Sequence, residues 1–145
     1  MISKLDSMTE ALRLIPQHVD LWDWPLDEGN NRANLRDLIS ECRVPSYAVA
    51  SIFKMLHLKR PQLITVIDDW TRQAWNESYS RKWTFDELVE IMSRMSRELG
   101  ARREGLEELQ TVAQDLGWPF NSLSRLRLYD VAFYGHEIET REDSG

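Results

Sequence analysis

Residues 32–60 contain basic and small polar side chains whose types and spacing are suited to binding DNA. This segment carries six basic residues against two acidic ones, whereas the whole chain of 145 residues has a net charge of −6. Lysine and arginine contacts to phosphate supply much of the affinity in DNA binding. The segment is therefore a candidate phosphate-binding surface; the alternative is a solvated face that pairs with acidic neighbours in the same molecule.

The sequence around this basic segment predicts two short helices separated by a tight turn. Asn34 can accept from free backbone N–H groups at the start of a first helix, and Pro45 interrupts that helix because proline has no backbone donor. Ser46 suits the N-cap of a second helix after a turn of about four residues. The pair at 34–57 resembles a helix-turn-helix, whose second helix enters the major groove of DNA. Apolar residues occupy the five positions that this motif buries: Leu38, Cys42, Val44, Val49 and Ile52.

This interpretation gives the outer face of the second helix a base-reading role and gives the neighbouring cations a phosphate-binding role. Two positions depart from the usual pattern: Ile39 stands where a small residue is common, and Arg43 stands where glycine is favoured. An ordinary helical hairpin inside an all-α domain is the alternative. The predicted base-reading residues are Ser46, Tyr47, Ser51 and Lys54, and the predicted phosphate-binding residues are Arg36, Arg43, Lys59 and Arg60.

The acidic, tryptophan-bearing segment 20–28 supports a second hypothesis, binding to a protein partner. Large aromatic residues flanked by carboxylates are typical of an interface anchor with a polar rim, since tryptophan is enriched at binding hot spots. Covering an edge of the core is the alternative role for these tryptophans. The hypothesis is an acidic inhibitor or DNA mimic of the immunity, anti-restriction or anti-CRISPR type. Its predicted partner-binding residues are Trp22, Asp23, Trp24, Asp27 and Glu28.

Residue spacing argues against catalytic and metal chemistry. The three histidines, His18, His57 and His136, lie far apart, and none has a cysteine or second histidine at ligand spacing. The scattered glycines form no phosphate-binding loop. The single cysteine, Cys42, is expected to be a small buried hydrophobe. We therefore expect a non-enzymatic regulatory protein that needs no metal or cofactor and binds DNA or a protein partner, with a homodimer left open.

Helical periodicity predicts a mainly α fold, a single compact domain of six or seven helices over residues 1–138 followed by a disordered charged tail at 139–145. Ser3 with Asp6, and Thr84 with Glu87, have the spacing of capping boxes. The segments 63–67 and 126–133 mix helix and strand signals and stay open between a helix and a short strand. No apolar run approaches the length of a membrane span, and acids interrupt the N-terminal stretch where a signal peptide would be apolar, so we expect a cytoplasmic protein without membrane contact.

Overall fold

Helices make up most of the structure, a computed structural model that describes residues 3–142 except 46 and 77, with side chains described through residue 133. Within those residues there are seven α-helices and no strand, which confirms the prediction of a mainly α fold. The helices are α1 Lys4–Arg13, α2 Asn31–Glu41, α3 Val49–Lys59, α4 Asp69–Trp75, α5 Phe85–Ala101, α6 Arg103–Leu116 and α7 Arg125–Glu142.

Two capping boxes begin helices where the sequence predicts them. The Ser3 hydroxyl accepts from the backbone N–H of Asp6, and the Asp6 carboxylate accepts from the backbone N–H of Ser3 at 3.1 Å. Thr84 and Glu87 form the same reciprocal pair at the start of α5. Local sequence is sufficient to predict these two starts because both partners lie within one helical turn.

The first helix of the predicted pair starts earlier than its sequence indicates. α2 begins at Asn31, three residues before the predicted N-cap Asn34. The Asn31 side chain donates to the carbonyl of Pro25 at 2.9 Å and fixes the chain entering the helix. Asn34 is inside α2, where its backbone N–H donates to the carbonyl of Asn30 at 2.8 Å.

The connection between α2 and α3 is longer than the expected tight turn. It covers seven residues, 42–48, because the backbone N–H of Tyr47 donates to the carbonyl of Val44 at 3.1 Å and forms a turn before α3 begins. This turn leaves Val44 41% exposed, so the prediction that Val44 is buried is wrong. Leu38, Cys42, Val49 and Ile52, the other four positions, are buried as predicted. Ser46, the predicted N-cap, lies outside the described residues.

The core is built around α5, whose inner face is almost fully buried. Helix α2 packs against both α1 and α5, and α6 packs against α7. The wide apolar face of α5 follows from its helical spacing, which places six large apolar side chains toward its neighbours. These residues are Leu88, Val89, Ile91, Met92, Met95 and Leu99.

The segment 63–67 is buried, yet it is neither a helix nor a strand. Leu63, Ile64 and Ile67 are inaccessible to solvent. The carbonyl of Ile64 lies 2.6 Å from Nδ1 of His57, and the Thr65 hydroxyl donates to Asp130 of α7. Partners from α3 and α7 thus supply polar contacts that regular structure would otherwise provide.

The segment 126–133, left open between helix and strand, is helical and lies inside α7. This helix continues to Glu142, into the segment 139–145 for which the sequence predicts disorder. Residues 143–145 lie outside the described part of the chain. None of the described helices is both long enough and apolar enough to cross a membrane.

Candidate nucleic-acid interface

The helix α3 exposes a polar outer face and buries an apolar inner face. Tyr47, just before the helix, is 63% exposed, and Ser51 and Lys54 are exposed on successive turns. The side chain of Lys54 forms no ion pair with the described residues. The opposite face packs into the core through Val49, Ile52, Phe53 and Leu56. Three of the predicted base-reading residues therefore lie on accessible surface at and after the start of α3.

Arg43 lies on an aromatic pair that precedes and begins α5. Its guanidinium carbon is 5.1 Å from the ring centroid of Trp83 and 5.6 Å from that of Phe85. The carbonyl of Arg43 accepts from Nζ of Lys4 at 2.8 Å. Aromatic contact orients a guanidinium while leaving its N–H groups available to a planar or tetrahedral anion.

A cleft of about 510 Å³ separates the start of α3 from the segment before α5. Arg81 and Trp83 line one side, and Ala48 and Ala50 line the other. Ala48 is the N-cap residue of α3 and offers no side-chain acceptor. The first backbone N–H groups of α3 therefore have no side-chain cap. Such groups, together with the helix dipole, favour an anion at this end of a helix.

Two carboxylates in the same cleft are engaged with α4. Asp68 accepts from the backbone N–H and the hydroxyl of Thr71, at 2.9 and 3.0 Å. Asp69 accepts from Nη1 of Arg72 at 2.9 Å. These contacts hold both carboxylates toward α4, although their charges reduce the attraction of the cleft for phosphate.

Two further predicted phosphate ligands are placed differently from Arg43. Arg36 lies 3.4 Å from Asp86, and both side chains of this ion pair are exposed, so it is a weak, salt-sensitive contact. Lys59 is exposed at the C-terminal end of α3, three turns away from Tyr47 along the helix. The structure therefore does not bring Lys59 to the cleft at the start of α3.

Arg60 is a structural residue, in contrast to its predicted phosphate-binding role. It is 5% exposed; its Nε donates to the carbonyl of Ile15 at 3.0 Å and its Nη2 donates to that of Leu12 at 2.8 Å. Its Nη1 donates to the carbonyl of Lys59 at 2.8 Å. Burial lowers the pKa of this guanidinium. Arg60 thus ties the end of α1 to the end of α3 and is not free to contact DNA in this conformation.

The tryptophans of the acidic segment 20–28 pack against the protein itself. Trp24 is 8% exposed and belongs to the core. Trp22 is partly buried: its Cβ lies against Gly100, where an added Cβ would be 3.3 Å away, and the guanidinium of Arg125 is 5.5 Å from its ring centroid. The core-covering role is the one these contacts support.

The carboxylates of that segment are largely paired with arginines that lie outside it. Asp23 binds Arg103, while Asp27 lies 3.5 Å from Arg32 and 3.4 Å from Arg97. Glu28 is exposed and forms no ion pair with the described side chains. These pairs span 5 to 80 residues in sequence and neutralise most of the charge that the sequence shows there.

A model of a family of unknown function (DUF6308) matches residues 1–137. The chain belongs to DUF6308. No curated protein and no solved structure matches this DUF6308 chain significantly. The cleft at the start of α3 and the segment 20–28 both lie within the DUF6308 region.

Sequence reasoning missed two features of the DUF6308 chain. The sequence gives no reason to single out Arg81, because only the fold brings it to the start of α3. The second feature is an acidic outer face on α6, whose spacing does carry a signal because carboxylates recur at three- and four-residue steps. The exposed acids of this face are Glu104, Glu107, Glu108 and Asp115, and none forms an ion pair with a described side chain.

Metal and thiol chemistry find no support in the described residues. Nowhere among them do three or more His, Cys, Asp or Glu side chains converge in a group that could hold a metal ion. Cys42 is buried, as expected, and burial raises the pKa of its thiol to about 11. The thiol is therefore protonated at neutral pH and is a poor nucleophile.

Proposed function

We propose that this protein is a DNA-binding regulator that contacts DNA with the start and outer face of α3. The observation that carries the proposal is the combination near one end of that helix: an exposed Tyr47, a start without a side-chain cap at Ala48, Arg81 in the adjoining cleft, and Arg43 on the ring of Trp83, which lines that cleft. Cations and backbone N–H groups at a helix start are a common way to hold DNA phosphate.

The proposed roles follow from position. Arg81 contacts phosphate because it lines the cleft at the start of the helix, and Arg43 contacts phosphate from its position on Trp83, which lines the same cleft. Tyr47, Ser51 and Lys54 face the groove, because they are exposed on the outer side of the same helix. Hydroxyl and ammonium groups there can bond base edges, which would give sequence preference.

Fluorescence anisotropy with labelled genomic fragments at low salt tests the proposal. With about three or four phosphates contacted, the log–log dependence of affinity on salt should have a slope of about −3 to −4. Arg81→Ala should weaken binding to all sequences alike, whereas Ser51→Ala should change sequence preference. Arg102→Ala, at the junction of α5 and α6, is the charge-matched control. Absence of binding to any fragment at low salt would refute the proposal.

The acidic outer face of α6 favours a second candidate function, inhibition of a DNA-binding protein by carboxylates that take the place of phosphates. Its exposed acids flank the exposed apolar residues Val112 and Leu116, a mixture suited to a protein surface. The test is competition with DNA for restriction or CRISPR nucleases. Inhibition by the wild type that is lost in the triple variant Glu104→Gln, Glu107→Gln, Glu108→Gln would favour this function over DNA binding.

A further inference from the structure

An apolar groove of about 480 Å³ lies between α1 and the C-terminal half of α3. Leu38 of α2 and Cys42, the residue that follows this helix, form part of its lining and are buried. Its volume and mainly apolar lining are within the range of sites that bind small molecules. Leu5, Met8 and Leu12 line the groove from the α1 side, and Met55, Lys59 and Arg60 line it from the α3 side.

The groove changes from apolar to cationic along its length. Its apolar end is near the start of α1, where Leu5 and Met8 line it. Its cationic end is near the end of α1, where Arg60 bonds the carbonyls of Leu12 and Ile15 and brings Lys59 alongside. Leu5 and Arg13 are eight residues apart on α1, so the lined length is about 12 Å.

Among the cations of that end, Lys59 is the one best placed to bind an added anion. Arg60 already donates to three carbonyls, and Arg13 is paired with Glu10. Lys59 is exposed and forms no ion pair with the described side chains. An anion at this end would therefore gain a contact to Lys59 without breaking an existing one.

The groove is long, narrow and open to solvent along one side: its volume of about 480 Å³ extends over about 12 Å. An α-helix with side chains is about 10 to 12 Å wide and would rest on such a groove with one face only. A single alkyl chain can lie within the groove along its whole length.

We propose that the groove binds an anionic amphiphile, a medium-chain carboxylate whose alkyl chain lies against Met8, Leu12 and Met55 and whose carboxylate contacts Lys59. A lined length of about 12 Å matches a chain of roughly ten carbons. This site stands apart from the proposed DNA contacts, since none of its residues belongs to the cleft at the start of α3.

The test uses decanoate, below its micelle-forming concentration, with the full-length protein carrying ¹³C-methyl methionine. Met8 and Met55 line the groove, whereas Met92 and Met95 are buried in α5, so each spectrum contains its own control signals. Saturable shifts at the Met8 and Met55 methyls, with little change at Met92 and Met95, are expected. Decanol, with the same chain and no charge, should bind more weakly.

Two variants test the two ends of the site. Lys59→Gln should lower the affinity for decanoate roughly fivefold, the effect of one near-surface charge contact, and should leave the affinity for decanol unchanged. Met55→Glu should abolish decanoate binding while the protein stays folded, because Met55 is 38% exposed. Lys82→Gln, an exposed lysine before α5, is the matched control and should bind decanoate like the wild type.

Three results would overturn the proposal. The first is the absence of saturable shifts with decanoate. The second is equal affinity for decanoate and decanol with no effect of Lys59→Gln, which would indicate a non-specific apolar patch. The third is binding of an acidic amphipathic peptide at Met8 and Met55 when decanoate does not bind, which would assign the groove to a protein partner.

Discussion

Arg72 and Glu87 form a bidentate ion pair that joins α4 to α5. The Arg72 guanidinium, which is inaccessible to solvent, donates from Nε to Oε1 at 3.1 Å and from Nη2 to Oε2 at 3.0 Å. Burial alone would raise the pKa of Glu87, but the bonds from Arg72 and Asn76 outweigh it and lower that pKa. The pair stands beside the cleft that contains Arg81, because Arg72 also bonds the carbonyl of Ser80.

Removing either partner of this pair should strongly destabilise the fold. We expect Glu87→Ala to lower the free energy of unfolding by about 3 to 5 kcal/mol, because it leaves a buried guanidinium with fewer acceptors. Asp69→Ala removes a second acceptor of Arg72, but Asp69 is exposed, so its loss should cost about 1 kcal/mol or less. Urea unfolding of the two variants provides the comparison. Equal losses would contradict the distinction between a buried and an exposed partner.

Asp130 gives the protein an unusual dependence of stability on pH. This carboxylate of α7 is buried and accepts from the Thr65 hydroxyl. Burial raises the pKa of Asp130 to about 6, against the opposing effects of Thr65 and Arg127. Because the folded pKa is above the unfolded one, the folded state binds the proton more tightly, and this residue's contribution to stability falls as pH rises from about 4 to about 6.

Asp130→Asn should remove that slope. The two proteins should be similar in stability near pH 4, and the variant should be more stable at pH 7.5 by up to about 3 kcal/mol, the equivalent of roughly two pKa units. Urea unfolding at a series of pH values measures the difference. A difference that does not change between pH 4 and pH 7.5 would show that Asp130 has an ordinary pKa.

Arg60 and Lys59 are neighbours whose substitutions should differ in their effect on stability. Arg60→Ala removes the side-chain donor to the carbonyl of Ile15 and one of the two donors to the carbonyl of Leu12, and should cost about 1 to 3 kcal/mol. Lys59→Ala removes an exposed side chain and should change stability by about 0.5 kcal/mol or less. Thermal unfolding of both variants is the measurement. A cost for Lys59→Ala as large as that for Arg60→Ala would refute the assignment of Arg60 as the residue that joins α1 to α3.

Trp24 should be a core residue rather than a partner-binding anchor. Trp24→Ala should lower the free energy of unfolding by about 3 to 5 kcal/mol, because it empties a buried volume. Trp118 is 84% exposed and supplies the matched tryptophan control, for which the change should be about 0.5 kcal/mol or less. Calorimetry on both variants decides between the roles. If Trp24→Ala leaves stability unchanged, the partner-binding hypothesis for segment 20–28 regains its main support.

The features that sequence predicts correctly are those determined within a few residues. The capping boxes at Ser3 and Thr84 and the buried stripe of α5 are examples, since their partners lie on the same helix. The charge of a segment is a different matter. Arg36 and Asp23 acquire partners 50 and 80 residues away, and the burial of Arg60 depends on carbonyls 45 and 48 residues away. A charge count from composition treats all such residues as free charges. Only the fold distinguishes the paired or buried residues from the free ones.

The irregular segment 63–67 also affects how the protein unfolds. Its side chains are inaccessible, and its contacts reach His57 in α3 and Asp130 in α7. This segment is not expected to open by local fraying alone, because exposing it would break its contacts to both α3 and α7. The region from α3 to α7 is therefore expected to behave as one cooperative unit, in which amide hydrogens of a segment without regular structure exchange as slowly as those of the core helices.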